Sequence, residues 1–223
     1  MIEIYSSIEC PFAYLAVYRL RQVWPAYAGR VTLAWRALSL EYINGRGPAR
    51  PVTELELALL KQAEPGLPVR EWGRAAWEWP ATMWPAFEAL ACAQAQSADA
   101  GLAMSWALRH AFFAESRNIA LRSELLAIAQ EVARTTPLDL ARFEADWDGG
   151  RYKGSVIADS RRGWHDLKVD GSPTFVLPDG RQVSDLAAGD IEIDEERAVL
   201  LRRAPFVGDA LAVFRDILDR AAR

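Results

Sequence analysis

The chain carries two cysteines, Cys10 and Cys92, and Cys10 stands where the sequence suits chemistry. A β-prone run from Ile2 to Tyr5 breaks at Ser6-Ser7, and Cys10-Pro11 then opens a stretch whose apolar positions include Leu15, Tyr18, Leu20 and Val23. Proline suits the first turn of a helix, because the N–H it lacks would have had no partner there. Cys10 is therefore expected at a helix N-terminus. Unpaired N–H groups and the positive end of the helix dipole stabilise a thiolate there, and such settings lower a cysteine pKa to roughly 3.5–7.5. The adjacent carboxylate of Glu9 opposes that shift. A thiolate so placed would attack disulfides or form covalent intermediates. The structural alternative is a small apolar residue filling a strand end.

Other residues offer less. Cys92, inside Phe87-Glu88-Ala89-Leu90-Ala91-Cys92-Ala93, reads as buried helix filler rather than a resolving thiol. His110 reads as a helix residue. His165, ahead of the Ser172-Pro173 loop, is a candidate acid or base if it comes within hydrogen-bond reach. Glu3 reads as an exposed strand residue, or else as a buried carboxylate managing the Cys10 proton. Trp79, Trp84, Phe112 and Phe113 are candidates for lining a cleft, and core packing predicts the same residue types. Two histidines and two cysteines without ligand spacing give no zinc site.

The elements that must hold Cys10 follow from periodicity. Val31 to Leu38 alternates as a second strand after a turn marked by Pro25 and Gly29, which completes a right-handed βαβ unit. Val52 to about Asp166 is almost wholly helical in pattern, with breaks at Glu64-Pro65-Gly66 and near Ser116-Asn118. A helix start is expected at Thr136-Pro137, an end at Gly149-Gly150, and a further helix over Ser155 to Trp164. Val169 to Leu177 returns to strand character, Pro178-Asp179-Gly180 is a turn, and Arg181-Gln182-Val183 is the partner strand. The acidic run Asp190 to Glu196 reads as a solvated loop or helix start, and Phe206 to Leu218 as a closing amphipathic helix. Proline is excluded from strands that must donate hydrogen bonds, so Ser172-Pro173 ahead of Thr174 is either a cis bond or an ordinary trans strand start.

Composition narrows the function. The 223 residues are 51% hydrophobic with nine tryptophans and a net charge of -4, and the pI is near 5.4. That charge provides no basic field for nucleic acid. No run approaches the roughly 18 apolar residues of a membrane span, and no export signal is read ahead of Ile2. A reduced, cytoplasmic setting is expected.

Four segments together carry a resemblance. They are Cys10-Pro11-Phe12-Ala13, Trp35-Arg36-Ala37-Leu38-Ser39-Leu40, Ala111-Phe112-Phe113-Ala114-Glu115-Ser116-Arg117-Asn118-Ile119 and Gly171-Ser172-Pro173-Thr174-Phe175. In this order the chain resembles the DsbA family of thioredoxin-fold proteins, in the branch related to FrnE and to 2-hydroxychromene-2-carboxylate isomerase. The resemblance implies an α/β (α+β) chain with a thioredoxin fold, βαβ…ββα, split by a large all-helical insertion between the second and third strands. The expected division is 1–50 and 167–223 for the thioredoxin-like domain and 51–166 for the insertion. It also implies Cys10 as the catalytic nucleophile, Pro11, Phe12 and Ala13 as its motif, and a cis Ser172-Pro173 bond against the sulfur. Ser172, Pro173 and Thr174 would meet a substrate or thiol, and Trp84, Phe112 and His165 would line the cleft.

The redox members of that family carry Cys-X-X-Cys, and Ala13 stands at the second cysteine here. A mixed disulfide at Cys10 has no neighbouring thiol to resolve it. The expectation is monothiol exchange, with no tightly bound cofactor and with glutathione or another low-molecular-weight thiol as cosubstrate. The partners expected are a small thiol or a disulfide-bearing substrate, without nucleic acid or membrane, and a homodimer is compatible. One alternative is a thiol-dependent isomerase or transferase acting on an apolar small molecule, since the resembling isomerases and kappa-class glutathione transferases use a serine where Cys10 stands. A second is a non-catalytic binding module on the same fold.

Overall fold

The computed structural model describes residues 1–222. Strand β1 (Ile2–Ser6), helix α1 (Pro11–Val23) and strand β2 (Leu33–Ala37) open the chain, and the two strands pair in parallel with Ile2 opposite Leu33 and Ser6 opposite Ala37. A parallel pair requires a long crossover, and α1 supplies it. Seven helices follow before the sheet resumes: α2 (Leu40–Asn44), α3 (Arg50–Ala63), α4 (Trp84–Gln94), α5 (Ala98–Glu115), α6 (Arg122–Ala133), α7 (Leu140–Asp148) and α8 (Lys153–Arg161). Strands β3 (Thr174–Val176) and β4 (Gln182–Val183) then add antiparallel pairings, giving the order β2-β1-β3-β4. This is the thioredoxin-type sheet, with the helical insertion between its second and third strands.

Several local expectations are corrected. The acidic run does not form a loop: Asp190–Asp194 is strand β5, paired with β6 (Val199–Ala204) in a separate antiparallel hairpin. Ile191 and Ile193 alternate with Asp190, Glu192 and Asp194, a period of two that the charge run obscures. The closing helix α9 (Ala212–Ala221) starts later than the apolar pattern implied, because the chain turns at Gly208 with φ 137° and leaves Phe206 and Val207 exposed. Helix α7 likewise starts after Asp139, whose carboxylate accepts from Arg142 N at 3.0 Å, rather than at Thr136. The Trp-rich stretch before α4 holds only a short turn over Ala76–Glu78, with the Trp72 and Trp79 indole N–H groups donating to the Ala75 and Pro48 carbonyls.

Alternation along β1 divides the packing. Ile2 and Ile4 enter the main core with Leu15, Trp35, Phe113, Phe175 and Phe214, while Tyr5 packs on Leu38, Val169 and Val176. Gly163, after α8, lies so close to that second cluster that an added Cβ would stand 2.8 Å from the Tyr5 ring, which only glycine avoids. The edge of β2 is covered by Gln94, whose amide both accepts from Trp35 N and donates to Trp35 O; an unpaired edge is thereby removed.

Helix α5 joins the insertion to the sheet through Arg109, a side chain with no solvent exposure. Its Nη1 donates to Ser105 O and Oγ at 3.0 and 2.8 Å, and its Nη2 donates to Ser6 Oγ and, at 3.0 Å, to Ser7 O. The guanidinium thus fixes the turn that leads from β1 to Cys10. Replacing Arg109 by alanine strands these acceptors in a dry interior, where a lost hydrogen bond to a charged group costs about 1.5–3 kcal/mol before any cavity is counted. Urea denaturation of Arg109→Ala should show a stability loss of at least about 2 kcal/mol; an unchanged midpoint would show that the turn does not depend on this contact.

Candidate active site

Cys10 is the N-cap of α1 and Pro11 is its first residue. The Cys10 carbonyl accepts the first helical bond, from Tyr14 N at 3.1 Å, while the side chain caps nothing. The thiol instead donates to the Ser172 carbonyl at 3.2 Å. From the same residue, Ser172 Oγ accepts from Ser7 N at 2.7 Å, so the turns before Cys10 and before β3 are bound to each other twice. The Ser172–Pro173 peptide is cis. Thr174 braces this loop, its hydroxyl donating to Gly171 O at 2.7 Å.

The electrostatics differ from the sequence expectation. Cys10 is only 7% exposed, and burial, with the Glu56 carboxylate as the next contribution, pushes its thiol up to about 12. The N–H groups of Ala13 and Phe12 and the Ser172 hydroxyl pull the other way, and they lose. A helix terminus contributes typically 0.3–1 kcal/mol, whereas taking a charge out of water costs several. Resting Cys10 is therefore a thiol, as its hydrogen bond to a carbonyl also requires. Glu9 is buried too, and desolvation holds its carboxyl above the usual range. Arg109 remains charged at neutral pH: burial lowers it to about 10, and Cys10 and Glu9 support its charge.

A family model for the DSBA-like thioredoxin domain matches residues 1–194. The chain belongs to that family. Among solved structures, a probable DsbA oxidoreductase from Streptomyces coelicolor is similar at 22% identity over 99% of this chain and 88% of that one, with a TM-score of 0.66. The cytosolic disulfide reductase DsbM from Pseudomonas aeruginosa matches at 23% identity over 82% and 87%, with a TM-score of 0.62. A 2-hydroxychromene-2-carboxylate isomerase matches at 21% over 82% and 87%, with a TM-score of 0.55. At these identities the likeness concerns the fold. A comparison with curated proteins gives no match.

In this DSBA-like domain the proposed site residues separate into two groups. Cys10, Pro11, Ser172 and Pro173 come together, and Phe12 borders a cavity of about 320 Å3 shared with Ser172, Pro173 and Leu186. Ala13 is fully buried in the first turn of α1. Thr174 is buried, with its hydroxyl taken by Gly171, so it shapes the loop and presents nothing to a ligand. Phe112 packs among Trp72, Trp79 and Phe113 in the core, not in a cleft. Trp84 packs on Phe87, and His165 is exposed beside Tyr42; neither borders a cavity with Cys10. Cys92 is buried in α4. Glu3 is spent on Arg36 and Arg162, at 2.7 and 3.1 Å.

Sequence reasoning missed Arg109, Glu56 and the burial of Glu9. Glu56 and Glu9 border the same cavity as Cys10. Burial, then Glu195, raises the Glu56 carboxyl from 4.5 to about 7. A group whose folded pKa is raised contributes stability that is complete below its unfolded pKa and is lost as pH rises through the folded value. Between pH 4.5 and about 7 the chain should therefore lose stability relative to Glu56→Gln, which cannot ionise. Parallel stability–pH curves for the two proteins over that window would contradict this.

Proposed function

We propose that this DSBA-like protein is an enzyme of monothiol–disulfide exchange, in which Cys10 forms mixed disulfides with a low-molecular-weight thiol such as glutathione. The carrying observation is the 3.2 Å contact from Cys10 Sγ to the backbone of Ser172. It sets the sulfur beside a loop whose backbone can pair with an extended thiol ligand. Attack by the Cys10 sulfur on a disulfide forms the mixed disulfide and expels a thiolate, which takes up a proton equivalent to the one Cys10 gave up. With Ala13 where a second thiol would stand, resolution falls to a second small thiol. The family supports oxidoreductase or isomerase chemistry in general, and one solved DsbM structure was obtained with GSH. Two unpaired cysteines fit a reducing, cytoplasmic setting.

A thiol-dependent isomerase is the second reading, favoured by Ala13, since such chemistry needs a bound thiol and no resolving cysteine. The two separate in one experiment. Intact-protein mass spectrometry after oxidised glutathione should show one adduct, lost in Cys10→Ser and kept in Cys92→Ser. No adduct on Cys10, with reversible binding of reduced glutathione, would favour the isomerase reading instead.

A further inference from the structure

On the α3 side of Cys10 lies a cavity of about 140 Å3 bordered by Glu9, Cys10, Asn44, Thr53 and Glu56. Neither Glu9 oxygen has a hydrogen-bond partner, although the residue is 4% exposed. The Ser7 hydroxyl acts favourably on it without reaching hydrogen-bond geometry. Glu56 has neither a hydrogen bond nor an ion pair among the described residues. The surrounding charges are otherwise engaged. Arg46 and Glu195, at the exposed rim, stand 3.9 Å apart and offset each other. Glu41, which also acts on Glu9, accepts from Thr82 Oγ1 and Met83 N. Arg109 acts on Glu9 through its charge; its Nη donors serve Ser105, Ser6 and Ser7, and its buried Nε makes no hydrogen bond, to Glu9 or to any other group among the described residues. A buried polar group without a partner is costly, so Glu9, with half-buried Glu56 across the same cavity, is open to a donor that the chain does not itself supply.

Resting on the exchange reading above, we propose that this cavity binds the ammonium group of the small thiol or disulfide exchanged at Cys10, making the preferred ligand a short-armed aminothiol. An ammonium carries three donors and no acceptor, which matches two carboxyls and the Thr53 hydroxyl. The volume lies below the roughly 300–1,000 Å3 of pockets that take drug-sized ligands, in keeping with a short aminoethyl arm. The same ion would offset the Glu56 charge, which adds to burial in keeping Cys10 protonated, so the ligand would ease its own activation. In the exchange, the Cys10 Sγ–S bond forms and the ligand's S–S bond breaks. The Cys10 sulfur supplies the electron pair and is oxidised, the departing half leaves with the S–S bonding pair as a thiolate and takes up a proton equivalent to the one Cys10 loses, and the retained half keeps its ammonium in the cavity.

The test compares cystamine, bis(2-hydroxyethyl) disulfide and 3,3′-dithiodipropionate as oxidants of Cys92→Ser protein, each rate divided by that of the same disulfide with N-acetylcysteine. One charge contact in a half-buried site predicts at least a ~10-fold corrected preference for cystamine over the neutral disulfide, and a larger one over the dianion. Glu56→Gln and Glu9→Gln should each cut that preference to about twofold or less while the neutral disulfide still reacts. A corrected ratio near one, or a preference for the dianion through Arg46, would overturn the proposal. Should no disulfide react with Cys10, the exchange reading itself falls. The subsite is then decided by NMR titration with 2-(methylthio)ethylamine against 2-(methylthio)ethanol, where shifts at Glu56 with the amine alone support it and equal shifts refute it.

Discussion

A guanidinium sealed from water holds in place the turn that leads to Cys10. Arg109 belongs to α5, deep within the inserted helices, yet it donates to Ser6 and Ser7 at the end of β1. An unpaired buried cation is costly, and the carbonyls and hydroxyls around this one take its Nη donors, leaving only Nε without a partner among the described residues. The insertion therefore helps to build the site. Without it the turn from β1 to Cys10 would lose the contact that fixes its path.

The same dryness sets the chemistry. A helix start favours a thiolate, and Cys10-Pro11 supplies one, but an almost closed environment with Glu56 close by outweighs it. The sulfur waits as a thiol bound to Ser172 O. This reverses the usual account of a reactive cysteine, in which the protein ionises the sulfur in advance. Here a change in the cavity, such as entry of a cation, would have to precede reaction. Arg109 limits the cost of the thiolate once formed, because its charge lies within Coulombic range of both Cys10 and Glu9.

What was legible in the sequence was local. Proline after Cys10 marked the helix start, proline after Ser172 marked the loop that meets it, and alternating apolar residues marked β1 and β2. The acidic strand β5 was obscured because its charges outnumber its two isoleucines. Arg109, Glu9 and Glu56 escaped because nothing near them in the chain signals burial: charged side chains are mostly exposed, and the first two become interior, and Glu56 half-buried, only when distant segments close over them. Phe112 and Thr174 show the converse, since residue types suited to a cleft or a ligand are equally suited to a core and a turn brace.

The central claim is that Cys10 rests protonated, and its alkylation rate as a function of pH tests that directly. With iodoacetamide and Cys92→Ser protein, the rate at Cys10 should keep climbing past the ordinary thiol value of 9.0 towards about 12. A rate that levels off below 9.0 would mean a thiolate preformed at the helix end, and would contradict the account.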